Sequence, residues 1–357
     1  MISINIAIVK RKKPLPKWLI PLLSLISGIL TSLLILYIVS HGSINPLDVL
    51  IAIGNSITQP NLLLKNYAML LVIGCGLLIS FKAAIWNIGG EGQFYFAVIG
   101  AAWFALYSGL AEIPIINKFL MIALGLTTAL IWILIAALIR DYIGLDEVPV
   151  TLLMNYIAYN IVDYLVNNHW REQVYRYTRT PTIPVETWFT NIPFTNATLE
   201  LLLITLVTIL LTWIILNYTY IGLFIRTMGS NPNVLKTIGV DVSKTIIYVL
   251  IISGLLIGLA GVSYLAGDTH LISSPVIAHT PYYGYTGILV AWLSLLELKY
   301  LFVTTYIVSA LINAGINIQI VGIGGASIVN LMIGSILLTY TILFVFHEYS
   351  VKIIIKK

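Results

Sequence analysis

Apolar residues run along this chain in blocks separated by short polar segments. A helix crossing roughly 30 Å of hydrocarbon needs about 20 such residues, because only a helix satisfies its own backbone hydrogen bonds in lipid. That rule predicts ten spans, at approximately 18–40, 62–81, 84–110, 115–139, 148–166, 199–217, 245–266, 283–297, 300–318 and 326–346. The eighth is short, and only Leu298 and Lys299 separate it from the ninth. The predicted fold is all-α: a polytopic transmembrane helix bundle of about ten spans, forming a single domain over residues 1–357.

Placing the basic cluster of Lys10, Arg11, Lys12, Lys13 and Lys17 in the cytoplasm assigns every later loop a side. Of the 19 lysines and arginines, all but Lys65, Lys118, Arg171, Arg176 and Arg179 then fall inside, which is the bias cytoplasmic loops carry. Both termini are expected inside, with residues 1–17 as a cytoplasmic tail; eight or ten spans both satisfy that. The run from Trp18 to Tyr37 is too long for a secretory signal and ends in no small-residue cleavage site. Two connections stand out by length. The outer one, 167–198, carries Pro181, Pro184 and Pro193 among Trp170, Tyr175, Tyr177 and Trp188. The inner one, 218–244, has Gly222, Gly229, Pro232 and Gly239 as breakers around a short helical stretch from Asn233 to Ile238.

Composition changes the picture only by exclusion. With 59% hydrophobic and 9% charged residues, the chain has too little polar surface for a soluble globule and must be solvated by lipid. A formal charge of +5 would suggest nucleic acid in a soluble domain, but these cations are scattered between apolar runs and read as topology determinants. No nucleic-acid partner is expected. The single cysteine, Cys75, excludes a disulfide framework, and the five histidines show no HExxH spacing, so no metal is assigned. No GxxxxGK[ST] loop is present, so the chain is not expected to bind ATP or any other cofactor. GIGGAS at Gly322–Ser327 reads as a tight outer turn. Of the glycosylation tripeptides at Asn196 and Asn217, only the first would lie outside.

Three segments carry chemistry. WNIGGEGQFYF, Trp86–Phe96, places glycines with Asn87, Glu91 and Gln93 inside a predicted span, where unpaired polar groups are costly. Two readings stand side by side: close helix packing with hydrogen bonds across the bundle, or a broken helix lining a solute route. DEVPVTLLMNYIAYNIVDYLV, Asp146–Val166, opens with two acids suited to a helix N-terminus. Asn155 then lies about 12 Å of helix rise beyond Glu147, where its amide needs a partner. The inner loop from Phe224 onward displays Arg226, Lys236 and Lys244 around its short helix, where a cytoplasmic partner could grip it. A faint internal similarity links Gly89–Ala101 with Gly284–Leu296, the kind of pair that marks inverted-repeat transporters.

In this order and spacing, the segments resemble the permease family of bacterial and archaeal ABC importers that includes ribose, simple-sugar and nucleoside permeases. The resemblance runs from about Asn66 to Tyr340 and rests on NIGGEGQ (Asn87–Gln93), EVPVTLLMNYIA (Glu147–Ala158), GSNPNVLKTIGVDVSKT (Gly229–Thr245), YGYTGILVAWL (Tyr283–Leu293) and SALINAGINIQ (Ser309–Gln319). It implies a plasma-membrane permease moving nucleosides or related simple sugars by alternating access. Its partners would be a separate cytoplasmic ATP-binding subunit that hydrolyses the ATP, a second permease, and an extracellular solute-binding lipoprotein. It implies coupling to the ATPase through Arg226, Gly229, Asn231, Pro232, Asn233, Lys236 and Gly239; Asn87, Glu91, Gln93 and Asn155 are the expected path-lining residues. Pro149, Val150, Tyr283, Tyr285 and Trp292 depart from relatives and leave the solute open.

Two rival functions follow from the same residues. A stand-alone secondary transporter would use Glu91 or Asp163 as a proton carrier. A membrane-embedded enzyme on lipid-linked sugars would need its charges on the outer loop, which offers Arg171, Glu172, Arg176, Arg179 and Glu186.

Overall fold

The computed structural model describes residues 3–10, 16–108, 114–173, 177–320 and 327–356. The helices among them begin with α1 (Leu19–Val39), α2 (Pro46–Ile57), α3 (Pro60–Lys82), α4 (Gly90–Tyr107), α5 (Pro114–Leu138), α6 (Glu147–Asn167) and α7 (Leu199–Tyr218). They continue with α8 (Tyr220–Ser230), α9 (Pro232–Thr237), α10 (Val242–Tyr264), α11 (Val276–His279), α12 (Tyr283–Leu293), α13 (Leu298–Ile320) and α14 (Ser327–Glu348). Among the described residues, seven helices are long and apolar enough to cross a membrane: α1, α3, α5, α7, α10, α13 and α14.

The other three expected spans are helical but differ in kind. α4 begins at Gly90 rather than near residue 84, because Asn87 turns back on the chain and accepts from the Gly89 N–H at 3.1 Å. α12 ends at Leu293 after 11 residues, about 16 Å of rise and half a crossing. It is stopped by Leu295 and Leu296, both in the left-handed region at φ 55° and 59°. α6 keeps its length but interrupts its apolar surface with Glu147, Asn155, Asn160 and Asp163. α2 and α8 escaped a rule tuned to spans of about 20 residues; they are opened by side-chain caps, from Asn45 to the Leu47 N–H at 3.0 Å and from Thr219 to the Gly222 N–H at 3.1 Å.

α3 is the most enclosed of the seven long helices and packs against α7, α10, α12 and α13. Small residues let backbones approach there: a Cβ on Gly76 would lie 2.8 Å from the Ser253 carbonyl oxygen of α10. α1 and α14 pair along their length, with the Thr339 hydroxyl donating to the Ser24 carbonyl at 3.0 Å.

Among the described residues, an extended ribbon departs from an all-α chain. β1 (Ser3–Lys10) and β2 (Tyr349–Lys356) form an antiparallel ribbon, Ser3 opposite Lys356 and Lys10 opposite Tyr349. Both segments are rich in β-branched isoleucine and valine, and each is too short for a rule that looks for whole spans. Of the expected turn at Gly322–Ser327, all but Ser327 lies outside the described residues, as do Arg11, Lys12, Lys13, Tyr175, Arg176 and Lys357.

The described residues of the long loop 167–198 fold over one end of the bundle. It borders the segment after α10 through Thr180 N–H to Ile272 O, Ile183 N–H to His270 O and Phe189 N–H to Ala266 O, each 2.9 Å. Trp188 stacks on His270 with ring centres 3.9 Å apart, and burial holds that imidazole below its ordinary pKa. Ion pairs Lys65–Asp268 and Lys118–Glu200, both 2.6 Å, sit at this end. Lys82, Arg140, Glu147 and Glu297 lie at the other. These are called the Lys65 end and the Lys82 end.

Candidate functional site

Two discontinuous helices meet inside the bundle. The chain leaves the Lys82 end as the non-helical stretch 83–89 and enters α4, which runs toward the Lys65 end, where the Tyr107 hydroxyl meets the His169 carbonyl. The stretch 280–282 delivers the chain from the Lys65 side into α12, which runs the opposite way to the turn beside Lys82. Their N-termini adjoin: a Cβ on Gly90 would stand 3.6 Å from Gly284 Cα. Each N-terminus carries unpaired N–H groups and the positive end of a helix dipole.

Glu91 answers both. It sits in the first turn of α4, buried, and accepts from the Gly284 N–H of α12 at 2.7 Å and from the Thr280 hydroxyl at 2.6 Å. Among the described residues no lysine, arginine or histidine pairs with it. Its two oxygens are held by a first-turn N–H of α12 and by a hydroxyl, at the end of each helix where the dipole favours an acceptor.

The other expected residues close around the same junction. Asn155, fully buried, accepts from the Gly92 N–H at 2.8 Å and donates to the Ile88 carbonyl at 2.9 Å and the Tyr285 hydroxyl at 3.1 Å. Asn87 and Gln93 exchange hydrogen bonds at 2.8 and 3.2 Å, and Asn87 also donates to Ser253 of α10 at 3.0 Å. Asn87, Glu91, Gln93 and Asn155 thus form one buried cluster tying α4, α6, α10 and α12 together. Sequence reasoning missed Thr280, Ser253 and Gly284; the signal for the last was the similarity between Gly89–Ala101 and Gly284–Leu296, whose starts the fold brings into contact. Asp163 is committed elsewhere, accepting from the Val276 N–H at 2.8 Å at the start of α11.

A polar cavity of about 530 Å³ reaches this junction from the Lys65 end, lined by Lys65, Asn66, Asp268, Thr280, Tyr282 and Asn330. Thr280 is both a wall of that cavity and a donor to Glu91. Toward the Lys82 end, Trp86, Trp292, Tyr340 and Phe344 surround a smaller aromatic slot of about 160 Å³.

The contact of Gly284 with Glu91 gives a first prediction. A Cβ there would lie 2.7 Å from Glu91 Cα and Oε2; the backbone atom cannot rotate away, and such overpacking costs about 1–3 kcal/mol. Gly284→Ala is expected to lower the thermal unfolding midpoint of the purified protein. Gly334→Ala, in open space on α14, leaves it unchanged or raises it.

The segment between α7 and α10 forms a separate exposed feature. Asn231 caps α9 by accepting from the Asn233 N–H at 3.0 Å, Pro232 opens it, and Gly239 leaves it at φ 79°. Leu235 is buried as its anchor, while Asn233, Val234, Lys236 and Ile238 are exposed. Arg226 donates to the Leu216 carbonyl, pinning α8 to the end of α7. Gly229 rests on the Lys82 carbonyl.

Comparison with known proteins covers most of this architecture. Residues 61–346 match the family described as branched-chain amino acid transport system, permease component. A nucleoside ABC transporter permease protein of Lactococcus lactis is 25% identical over 70% of this chain and 70% of its own length. A guanosine ABC transporter permease protein of Bacillus subtilis is 25% identical over 70% of this chain and 72% of its own. A glucose ABC transporter permease protein of Haloferax volcanii is 23% identical over 63% and 60%. No solved structure matches.

Proposed function

The chain belongs to the permease-component family of the branched-chain amino acid transport system, a multi-pass permease subunit of the plasma membrane, and from its nucleoside- and sugar-transporting relatives we propose that its solute is a nucleoside or a related simple sugar. The observation that carries the reading is the polar cavity ending on the junction of α4 and α12. A solute entering from the Lys65 end meets Thr280 and Tyr282 as the wall in front of Glu91. The two nucleoside-transporting relatives support the same solute class.

In this reading the Lys82 end is cytoplasmic. The ribbon of β1 and β2 supports the narrower point that both described chain ends lie on one side, as an even number of crossings requires. α9 docks a separate ATP-binding subunit with its exposed residues Asn233, Val234, Lys236 and Ile238, while Arg226, Gly229, Asn231, Pro232 and Gly239 fix its attitude. A second permease completes the path, and a solute-binding lipoprotein delivers to the Lys65 end. ATP is hydrolysed by the partner. Transport by alternating access then requires the N-terminus of α12 to part from Glu91, opening the way past Asn87, Gln93 and Asn155 toward the Lys82 end.

The test is co-purification of the tagged chain from its native membrane, with and without replacement of 232–238 by a glycine-serine linker. An ATPase that accompanies the intact chain and is absent with the linker supports the reading. A stable, solute-transporting complex without any ATPase would replace it with the secondary transporter.

A further inference from the structure

The coupling segment and the junction lie at different depths in the bundle, and one residue touches the elements between them. Lys82 is the last residue of α3. Its carbonyl oxygen carries Gly229, at the end of α8 just before α9. Its Nζ donates to the Leu296 carbonyl at 3.1 Å and to Glu297 Oε1 at 2.9 Å. Those two acceptors form the tight turn between α12 and α13, where Leu295 and Leu296 both adopt left-handed backbone. Non-glycine residues are disfavoured there, so the turn keeps its shape only while surrounding contacts hold it. At the opposite end of α12, Gly284 is bonded to Glu91.

We propose that Lys82, with Glu297, is the positioning pair that transmits displacement of the coupling segment to α12. The reading of α9 as the ATPase dock underlies this. The contact from Gly229 to Lys82 is backbone against backbone, so a shift of α8 moves the end of α3 without being absorbed by side-chain rotation. Lys82 then carries the turn at Leu296 and Glu297 with it. The left-handed pair is the hinge, and α12, a short rigid helix of about 16 Å, conveys the movement to its N-terminus at Glu91. Glu297 is half exposed and Lys82 one-fifth, so water reaches the pair from the Glu297 side and limits what it adds to stability. Losing the pair is expected to change coupling more than folding, which the thermal unfolding midpoint of the variant checks.

The experiment uses the whole transporter, permease with its ATPase and binding protein, in proteoliposomes. Lys82→Met is expected to retain the ATPase and hydrolyse ATP within about twofold of wild type, while solute moved per ATP falls about tenfold or more, since both charged hydrogen bonds are lost. Lys82→Arg restores most of that ratio, because its guanidinium also reaches two acceptors; Glu297→Gln gives an intermediate loss. An unchanged ratio in Lys82→Met overturns the proposal. So does a parallel loss of hydrolysis and transport without rescue by Lys82→Arg, which would mark a purely structural role. Loss of the ATPase from Lys82→Met would make Lys82 part of the dock instead. A wild-type complex with no ATPase bound would defeat the underlying reading before any variant is compared, and this proposal with it.

Discussion

Replacing Glu91 by alanine is expected to reduce uptake by the assembled transporter a hundredfold or more while the protein remains inserted and bound to its ATPase. The carboxylate is the acceptor for two buried donors, the Gly284 N–H and the Thr280 hydroxyl. Each donor left unpaired costs about 1–3 kcal/mol, and every 1.4 kcal/mol is about tenfold in the population of the closed junction. Glu91→Gln separates the latch from its rival. Its amide keeps one oxygen for Thr280 but presents a donor to the Gly284 N–H, so a latch loses about one hydrogen bond and uptake falls roughly tenfold. A proton carrier would lose all activity on the same substitution. Uptake measured with ATP present, and again with an uncoupler, reads both outcomes. Wild-type uptake in Glu91→Ala would remove the junction from the transport mechanism.

Much of this bundle was legible because lipid leaves few options. Blocks of about 20 apolar residues must be helices, and each of the ten blocks contains one. Polar residues inside such blocks were equally telling: Asn87, Glu91, Gln93 and Asn155 stood out because a bilayer does not tolerate them unpaired, and the fold gathers them into one cluster. The sequence could not say where a helix breaks within a block. That depends on local side-chain bonds such as Asn87 to Gly89 and on backbone at Leu295 and Leu296 that no propensity favours. Nor could it pair Glu91 with Gly284, some two hundred positions apart. Both lie in glycine-rich helix starts that follow non-helical stretches, yet their meeting is set by how α3, α10 and α12 pack. Thr280 and Ser253 were invisible for a related reason, since a single hydroxyl in an apolar helix or loop more often bonds its own backbone.

A second large effect belongs to Gly229. It occupies an exposed stretch of the coupling segment, where a methyl group would ordinarily be harmless, but a Cβ would run into the Lys82 carbonyl. Neither atom can rotate away, so Gly229→Ala must lift α8 from the end of α3, at a cost of about 1–3 kcal/mol. Because α9 follows within two residues, the dock stays attached to its ATPase but stands off from Lys82. ATP hydrolysis is expected to persist and to lose its stimulation by solute, while uptake falls at least tenfold. Gly239→Ala is the control from the same segment. Its surroundings are empty, and its cost is the left-handed backbone alone, roughly 1 kcal/mol. If contact with α3 carries the signal, Gly229→Ala uncouples hydrolysis from uptake and Gly239→Ala only weakens the complex modestly. Equal, mild effects of the two would mean that the segment tolerates displacement, and that movement reaches α12 by another route.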